Sequence, residues 1–167
     1  MAKIINVIGS CSNVGKTFVM EGIIKELKSR NYKIATIKHD VHGFDIDHEG
    51  KDTYKHRMAG SDTVIISSKN RFAKIMELKK ELNVYDIIKD IINDYDFILV
   101  EGYKKSNIRK IEVYDKNLSS SIITKKENLI AVATNDLDDG KLEDLVKVKK
   151  DDFKTLVNFI ELETNYN

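Results

Sequence analysis

Gly9-Ser10-Cys11-Ser12-Asn13-Val14-Gly15-Lys16-Thr17 is the stretch that decides the fold. It follows a short, mostly apolar run from Lys3 to Ile8, the pattern of a buried strand. It precedes a helical pattern from Lys16 to Ser29 in which Met20, Ile23, Ile24 and Leu27 fall at i, i+3, i+4 and i+7. A turn so placed points successive backbone N–H groups into one concavity, which suits phosphate oxygens. The helix adds its unpaired N–H groups and the positive end of its dipole. Gly9, Ser12, Asn13, Val14, Gly15, Lys16, Thr17 and Phe18 are therefore the candidate phosphate-loop residues. Lys16 is placed to reach the β and γ phosphates of a nucleotide and is the first candidate catalytic residue; the Thr17 hydroxyl is a candidate Mg²⁺ ligand. The strict pattern has glycine at position 10, where this chain has Ser10, and the glycine falls one place earlier at Gly9. The plain alternative is an ordinary strand-to-helix turn with an exposed lysine.

Outward from that loop, residues 33–37 form a second strand, so strand, helix and strand make a right-handed parallel unit. Residues 38–50 are a polar loop and 51–59 a short helix. Residues 62–67 are the next strand candidate and 70–76 a further one. Val84, Ile87, Ile88, Ile91 and Ile92 mark a helix over 83–93. Phe97-Ile98-Leu99-Val100 is a continuous apolar run, as in a central parallel strand. Strands at 109–114 and 128–134, an edge strand at 145–148 and a helix from Asp151, with Phe153, Leu156, Val157 and Ile160 inward, complete the pattern. The expectation is an α/β chain: a three-layer P-loop NTPase fold with a mostly parallel sheet, open to an added β-hairpin extension, forming a single nucleotide-binding domain over 1–167.

Composition narrows the class. The 28 basic and 27 acidic residues leave a formal net charge of +1, which gives no electrostatic reason to expect nucleic acid as a partner. The one cysteine, Cys11, permits no internal disulfide, and a reducing, cytoplasmic compartment is expected. The apolar start is too short for a secretory core, and no run approaches a membrane span, so no membrane association is expected.

A second strand in such folds delivers a carboxylate to the metal. Glu101, where the apolar run ends before Gly102, is the candidate Mg²⁺ ligand and second candidate catalytic residue, with Gly102 leaving room for phosphate or substrate; the alternative is a solvated strand-end charge. Asp96, at the other end, reads as a turn or capping residue. The loop at 38–50 admits two readings. His39, His42 and His48 with Asp40, Asp45 and Asp47 are possible transition-metal ligands, without HExxH spacing or a cysteine partner. Otherwise the loop covers the phosphate site and Lys38, Lys51 and Arg57 meet anionic groups.

Lys38-His39-Asp40-x-His42-x-Phe44-x-x-Asp47-x-x-Gly50-Lys51-Asp52-Thr53, followed by Arg57-Met58-Ala59-Gly60, resembles the signature of the molybdopterin-guanine dinucleotide biosynthesis protein B family. Val100-Glu101-Gly102-Tyr103-Lys104 is similar to that family's second motif, and the resemblance spans residues 3–135. It implies a GTP-binding accessory protein with weak, Mg²⁺-dependent GTPase activity at most. Such a protein assists a guanylyltransferase partner, protein A, which joins GMP to the molybdopterin cofactor, and it forms a homodimer. It also implies that Asp47, Lys51 and Asp52, with Lys38 and His39, lie near the nucleotide or the pterin. The loop from Gly9 to Thr17 resembles dethiobiotin synthetases too, an ATP-dependent alternative against which the segment 38–60 argues. For the base, Ala133-Thr134-Asn135-Asp136 follows a strand, and Asp136 is a candidate acceptor of guanine N–H groups; the lysine of Asn/Thr-Lys-x-Asp loops is missing, and an ordinary turn fits equally.

Overall fold

Burial on two faces fixes the first strand at the middle of the molecule. In β1 (Lys3–Ile8), Ile5 and Val7 point to one side and Ile4 to the other, all buried. An apolar strand covered on both faces requires parallel neighbours and flanking helices. The computed structural model, which describes residues 1–165, supplies both. The elements are β1, α1 (Lys16–Ser29), β2 (Ile34–Lys38), α2 (Asp52–Met58), β3 (Thr63–Ser68), β4 (Arg71–Met76), α3 (Val84–Ile91), β5 (Phe97–Glu101), β6 (Lys110–Val113), β7 (Leu129–Ala133), β8 (Lys147–Val148) and α4 (Phe153–Leu162).

The chain divides into two compact units, residues 1–39 with 84–167 and residues 40–83. The larger unit holds a six-stranded sheet in the order β2-β5-β1-β6-β7-β8, with all pairs parallel. One face carries Ile5, Val7, Leu99, Ile111 and Val113 against Val19, Met20, Ile23 and Leu27 of α1 and Leu156, Val157 and Ile160 of α4. The other carries Ile4, Ile37, Ile98 and Val100 against Val84 and Ile88 of α3. Each such side chain contributes about 1.5–3 kcal/mol on burial, so these two clusters hold the three layers together.

The helix ends follow local rules. Asn31, at φ 65°, ends α1: its N–H bonds the Lys28 carbonyl at 3.0 Å and that of Tyr32 the Leu27 carbonyl at 3.2 Å. This is the left-handed cap for which asparagine is the usual substitute for glycine. Asp152 caps α4, accepting the Thr155 N–H at 3.1 Å. Hydrogen bonds from the Thr155 hydroxyl and then from that N–H hold its carboxyl below the ordinary range. Between the helices, Phe153 lies directly on α1, and Gly22 makes the room: a Cβ there would stand 2.1 Å from a ring carbon. Asp96 has the structural role expected of it, accepting the Lys33 N–H at 2.7 Å.

In the smaller unit, the strand candidates at 62–67 and 70–76 pair with each other as an antiparallel hairpin, Thr63 opposite Met76 and Ser68 opposite Arg71. They form their own two-stranded sheet, the added hairpin to which the pattern was open. Elsewhere the differences are of one or two residues. The largest consequence is at β2, which runs to Lys38, so this residue ends a strand rather than starting a loop.

Candidate functional site

All six strands of the parallel sheet end at one edge, and the chain crosses from one side of β1 to the other between β5 and β6. In such sheets the crevice at that switch point is where ligands bind. Along the edge, in strand order, stand Lys38, Glu101, the loop 9–15, Asp115, Asp136 and Lys150.

The loop has the backbone that anion binding needs. Asn13 (φ 63°) and Gly15 (φ 100°) take the left-handed conformation, which in succession with right-handed residues turns N–H groups to one side. At Gly15 a side chain would be strained whatever the space. The helix behind it spans 14 residues, has no side-chain cap at its N-terminus and no acidic residue in its first turn. Its first N–H groups and positive dipole end are thus left for a ligand. Lys16 folds back over the loop, its Nζ donating to the Cys11 carbonyl at 2.9 Å. Thr17 and Phe18 are exposed on the first turn, and Phe18 packs its ring against Phe153 at 5.4 Å.

The position of the glycine also becomes intelligible. A Cβ on Gly9 would lie 2.5 Å from Val14 Cγ2 and 3.1 Å from the Val113 carbonyl oxygen. Val14 is buried, so it cannot give way. Ser10 carries a side chain and keeps an ordinary negative φ, so the backbone does not require glycine at 10, whereas packing requires it at 9.

On the β2 side, Lys38 and Glu101 are register partners on β2 and β5. Glu101 is half-buried at the strand end, and among the described residues neither its carboxylate nor the Thr17 hydroxyl has a hydrogen-bond partner. His39 donates its N–H to the Glu101 carbonyl at 2.9 Å and stacks its ring on Tyr103 at 4.3 Å. The space beside Gly102, which the sequence suggested for phosphate or substrate, is taken by His39: a Cβ on Gly102 would stand 2.8 Å from His39 Cβ. The sheet edge therefore brings together the loop, Lys16, Thr17, Lys38, His39 and Glu101.

On the other side, the Asp136 carboxylate accepts the Lys116 N–H at 2.9 Å and pairs with its ammonium at 3.6 Å. It follows β7, which lies two strands from β1, about 10 Å at the usual strand spacing. Nearby, Tyr114 is buried and donates to Asp139 at 2.8 Å. Burial first, then that hydrogen bond, push its phenol up to about 12 from an ordinary 10.0. The raised value means that the neutral phenol's contribution to stability is complete below pH 10 and is lost as pH rises through 12. Tyr114 is accordingly expected to ionise late in an ultraviolet titration, in step with unfolding. Tyr114→Phe removes that step and lowers stability by about 1 kcal/mol.

Asp47, Lys51 and Asp52 belong to the smaller unit. Asp47 is nearly buried there, accepting the Thr53 hydroxyl at 2.9 Å, with Arg57 Nε 3.8 Å away. Arg57 also pairs with Asp45 at 2.8 Å and Glu77 at 3.2 Å. Its guanidinium hydrogen bond is the main cause that holds the Asp45 carboxyl below the ordinary range. Lys51 and Asp52 are exposed at the start of α2. The transition-metal reading finds no support, since among the described residues no three His, Cys, Asp or Glu side chains gather as a metal would require.

Three further residues were given no role of their own in the sequence reading. Lys104 Nζ donates to the Ser10 carbonyl at 3.0 Å. Asn6, buried in β1, donates to the Gly102 carbonyl at 2.9 Å. Lys150 pairs with Asp115 at 3.4 Å and runs its stem past Gly15. Asn6 left a signal as a polar residue inside an apolar strand, and Lys104 as the last residue of the second motif.

A parallel sheet whose first strand feeds a glycine-lysine-threonine loop and an uncapped helix defines the P-loop NTPase fold. Within that class, the family model described as molybdopterin guanine dinucleotide synthesis protein B matches residues 4–135, and the chain belongs to that family. It is 34% identical over 125 residues to the molybdopterin-guanine dinucleotide biosynthesis adapter protein of Haemophilus influenzae, covering 74% of this chain and 70% of that one. It is 35% identical over 106 residues to the protein of the same description from Escherichia coli, covering 62% of this chain and 61% of that one. Among solved structures, Bacillus subtilis MobB superposes with a TM-score of 0.74 at 22% identity, over 96% of this chain and 99% of that one, which establishes a shared fold.

Proposed function

We propose that this chain binds GTP with Mg²⁺ at the sheet edge and acts as an accessory protein in the making of the guanine dinucleotide form of the molybdenum cofactor. The carrying observation is the loop itself: left-handed Asn13 and Gly15 leading into an uncapped helix, with Lys16 folded over the opening. That arrangement fits a triphosphate. Gly9 to Phe18 would cradle the phosphates, and Lys16 would neutralise the β and γ groups. Thr17 and Glu101 fit Mg²⁺, which needs only one or two protein oxygens beside phosphate oxygens. Lys38 and His39 border the terminal phosphate, and Asp136 is the candidate for guanine. The bound metal would offset phosphate charge. With no arginine at the described edge of the parallel sheet, hydrolysis is slow at most.

The role in cofactor maturation follows from membership of the family and from what the Haemophilus influenzae and Escherichia coli relatives are named for. In that reading the partners are the guanylyltransferase, molybdopterin and a second copy of the chain, in the cytoplasm, with Asp47, Lys51 and Asp52 serving the nucleotide or the pterin. No helix among the described residues is long and apolar enough to cross a membrane.

Calorimetric titration with GTP, GDP and ATP, with and without Mg²⁺, tests the nucleotide half. Binding of GTP that Mg²⁺ strengthens, with ATP weaker, is the expected result. Equal or tighter binding of ATP would remove the guanine assignment, and no binding of any nucleotide at millimolar concentration would remove the whole reading.

A further inference from the structure

We propose that Lys104 is a second phosphate-binding lysine, delivered to the loop by the strained turn that follows β5, and that it grips the terminal phosphate of the bound nucleotide. The proposal deepens the nucleotide reading above and rests on it.

The turn itself is the first observation. Gly102 and Tyr103 follow β5 with φ of 95° and 44°. A bulky aromatic residue rarely takes the left-handed region, and such a conformation persists only where its surroundings over-determine it. Here they do. Asn6, fully buried in the strand next door, donates its amide to the Gly102 carbonyl at 2.9 Å and to that of Tyr103 at 3.4 Å. Ser106 N–H closes the turn on the Tyr103 carbonyl at 2.9 Å. The Tyr103 ring stacks on His39 at 4.3 Å with the planes 22° apart. Placing a polar amide inside the central strand is unfavourable unless it is bonded, and all its donated bonds go to this turn.

What the strained turn positions is Lys104. Its Nζ reaches the Ser10 carbonyl at 3.0 Å, while Lys16 reaches the next carbonyl, that of Cys11, at 2.9 Å. Two ammonium groups thus lie on consecutive carbonyls of one loop, and among the described residues neither has a carboxylate partner. Paired cations without a counter-charge on an anion-binding turn are matched by a polyanion. The sheet order indicates which phosphate. The candidate base contact, Asp136, lies on the β6–β7 side of β1, whereas Lys104 follows β5 on the opposite side. A nucleotide laid across the edge from β7 to β1 brings its last phosphate towards β5, next to Glu101.

The test is titration of the full chain, Lys104→Ala and Lys104→Arg with magnesium GTP and magnesium GDP. Alanine is expected to weaken GTP by about tenfold and GDP by less than about twofold, with arginine restoring most of the loss. Lys104 is exposed and among the described residues bonds one loop carbonyl, so the thermal midpoint is expected to be unchanged. Unchanged GTP affinity in Lys104→Ala, or equal losses for GTP and GDP, overturns the assignment. A parent chain that binds no nucleotide instead overturns the nucleotide reading itself, so the two failures are told apart by the parent's own titration.

Discussion

Lys16→Ala is expected to fold like the parent and to lose affinity for a magnesium nucleoside triphosphate by at least about a hundredfold. The two halves of that expectation have separate grounds. Among the described residues the ammonium of Lys16 makes one hydrogen bond, to the Cys11 carbonyl at 2.9 Å, and no ion pair. Alanine is the best helix former, and the position is the first of α1, so the change in stability stays within about 0.5 kcal/mol. The functional half depends on what a lone ammonium supplies to a triphosphate. Hydrogen bonds to charged partners contribute about 1.5–3 kcal/mol each, and a lysine bridging two phosphates makes two of them. About 1.4 kcal/mol corresponds to a factor of ten, so the loss exceeds two decades. Calorimetric titration with GTP, paired with a thermal melt, checks both. Parental affinity in the variant would take Lys16 out of the phosphate site.

Sequence pattern located the sheet well because the signals there are local and repeated. The apolar run at Phe97–Val100, bounded by Asp96 and Glu101, had one reading, and the structure places it between two parallel neighbours. The bounds of α1 came from the loop before it and the apolar spacing of Met20, Ile23, Ile24 and Leu27. Pairing was less legible. Whether residues 62–67 and 70–76 joined the parallel sheet depended on partners, and a short apolar strand does not state its partner; the structure pairs them with each other.

The candidate site divides in the same way. The positions of the loop, Lys16, Thr17 and Glu101 were legible because they are tied to the ends of two apolar strands. Lys104 stood in the second motif without a role, since its placement depends on a left-handed Tyr103 and on an asparagine 97 residues before that tyrosine. Gly102 was read as room for a ligand, when the group that needs the room is His39. Spacing tells where small residues occur; it does not tell which neighbour presses on them. The same lesson governs the loop glycine, whose requirement comes from Val14 and Val113 rather than from the phosphate pattern.

That contrast carries a second expected result with a large effect. Gly9→Val should destabilise the chain by about 1–3 kcal/mol and abolish nucleotide binding, whereas Ser10→Gly should change neither by more than a small margin. The added side chain at position 9 begins 2.5 Å from Val14 Cγ2 and 3.1 Å from the Val113 backbone oxygen, both well inside contact distance. Val14 is 1% exposed and β-branched, so its side chain is closely packed and stiff at χ1. Val113 belongs to β6, hydrogen-bonded into the sheet, and does not move without its neighbours. The strain can therefore be relieved only by lifting the loop off the end of β1. Lifting the loop displaces the amides of Asn13 and Gly15 that would face the phosphates. At Ser10 the backbone φ is ordinary, so glycine offers no relief there, and the carbonyl that Lys104 uses is retained. Thermal melts and GTP titrations of the two variants decide the matter. If Ser10→Gly tightened binding while Gly9→Val were tolerated, the loop would follow the strict glycine pattern after all, and the packing account of its register would be wrong.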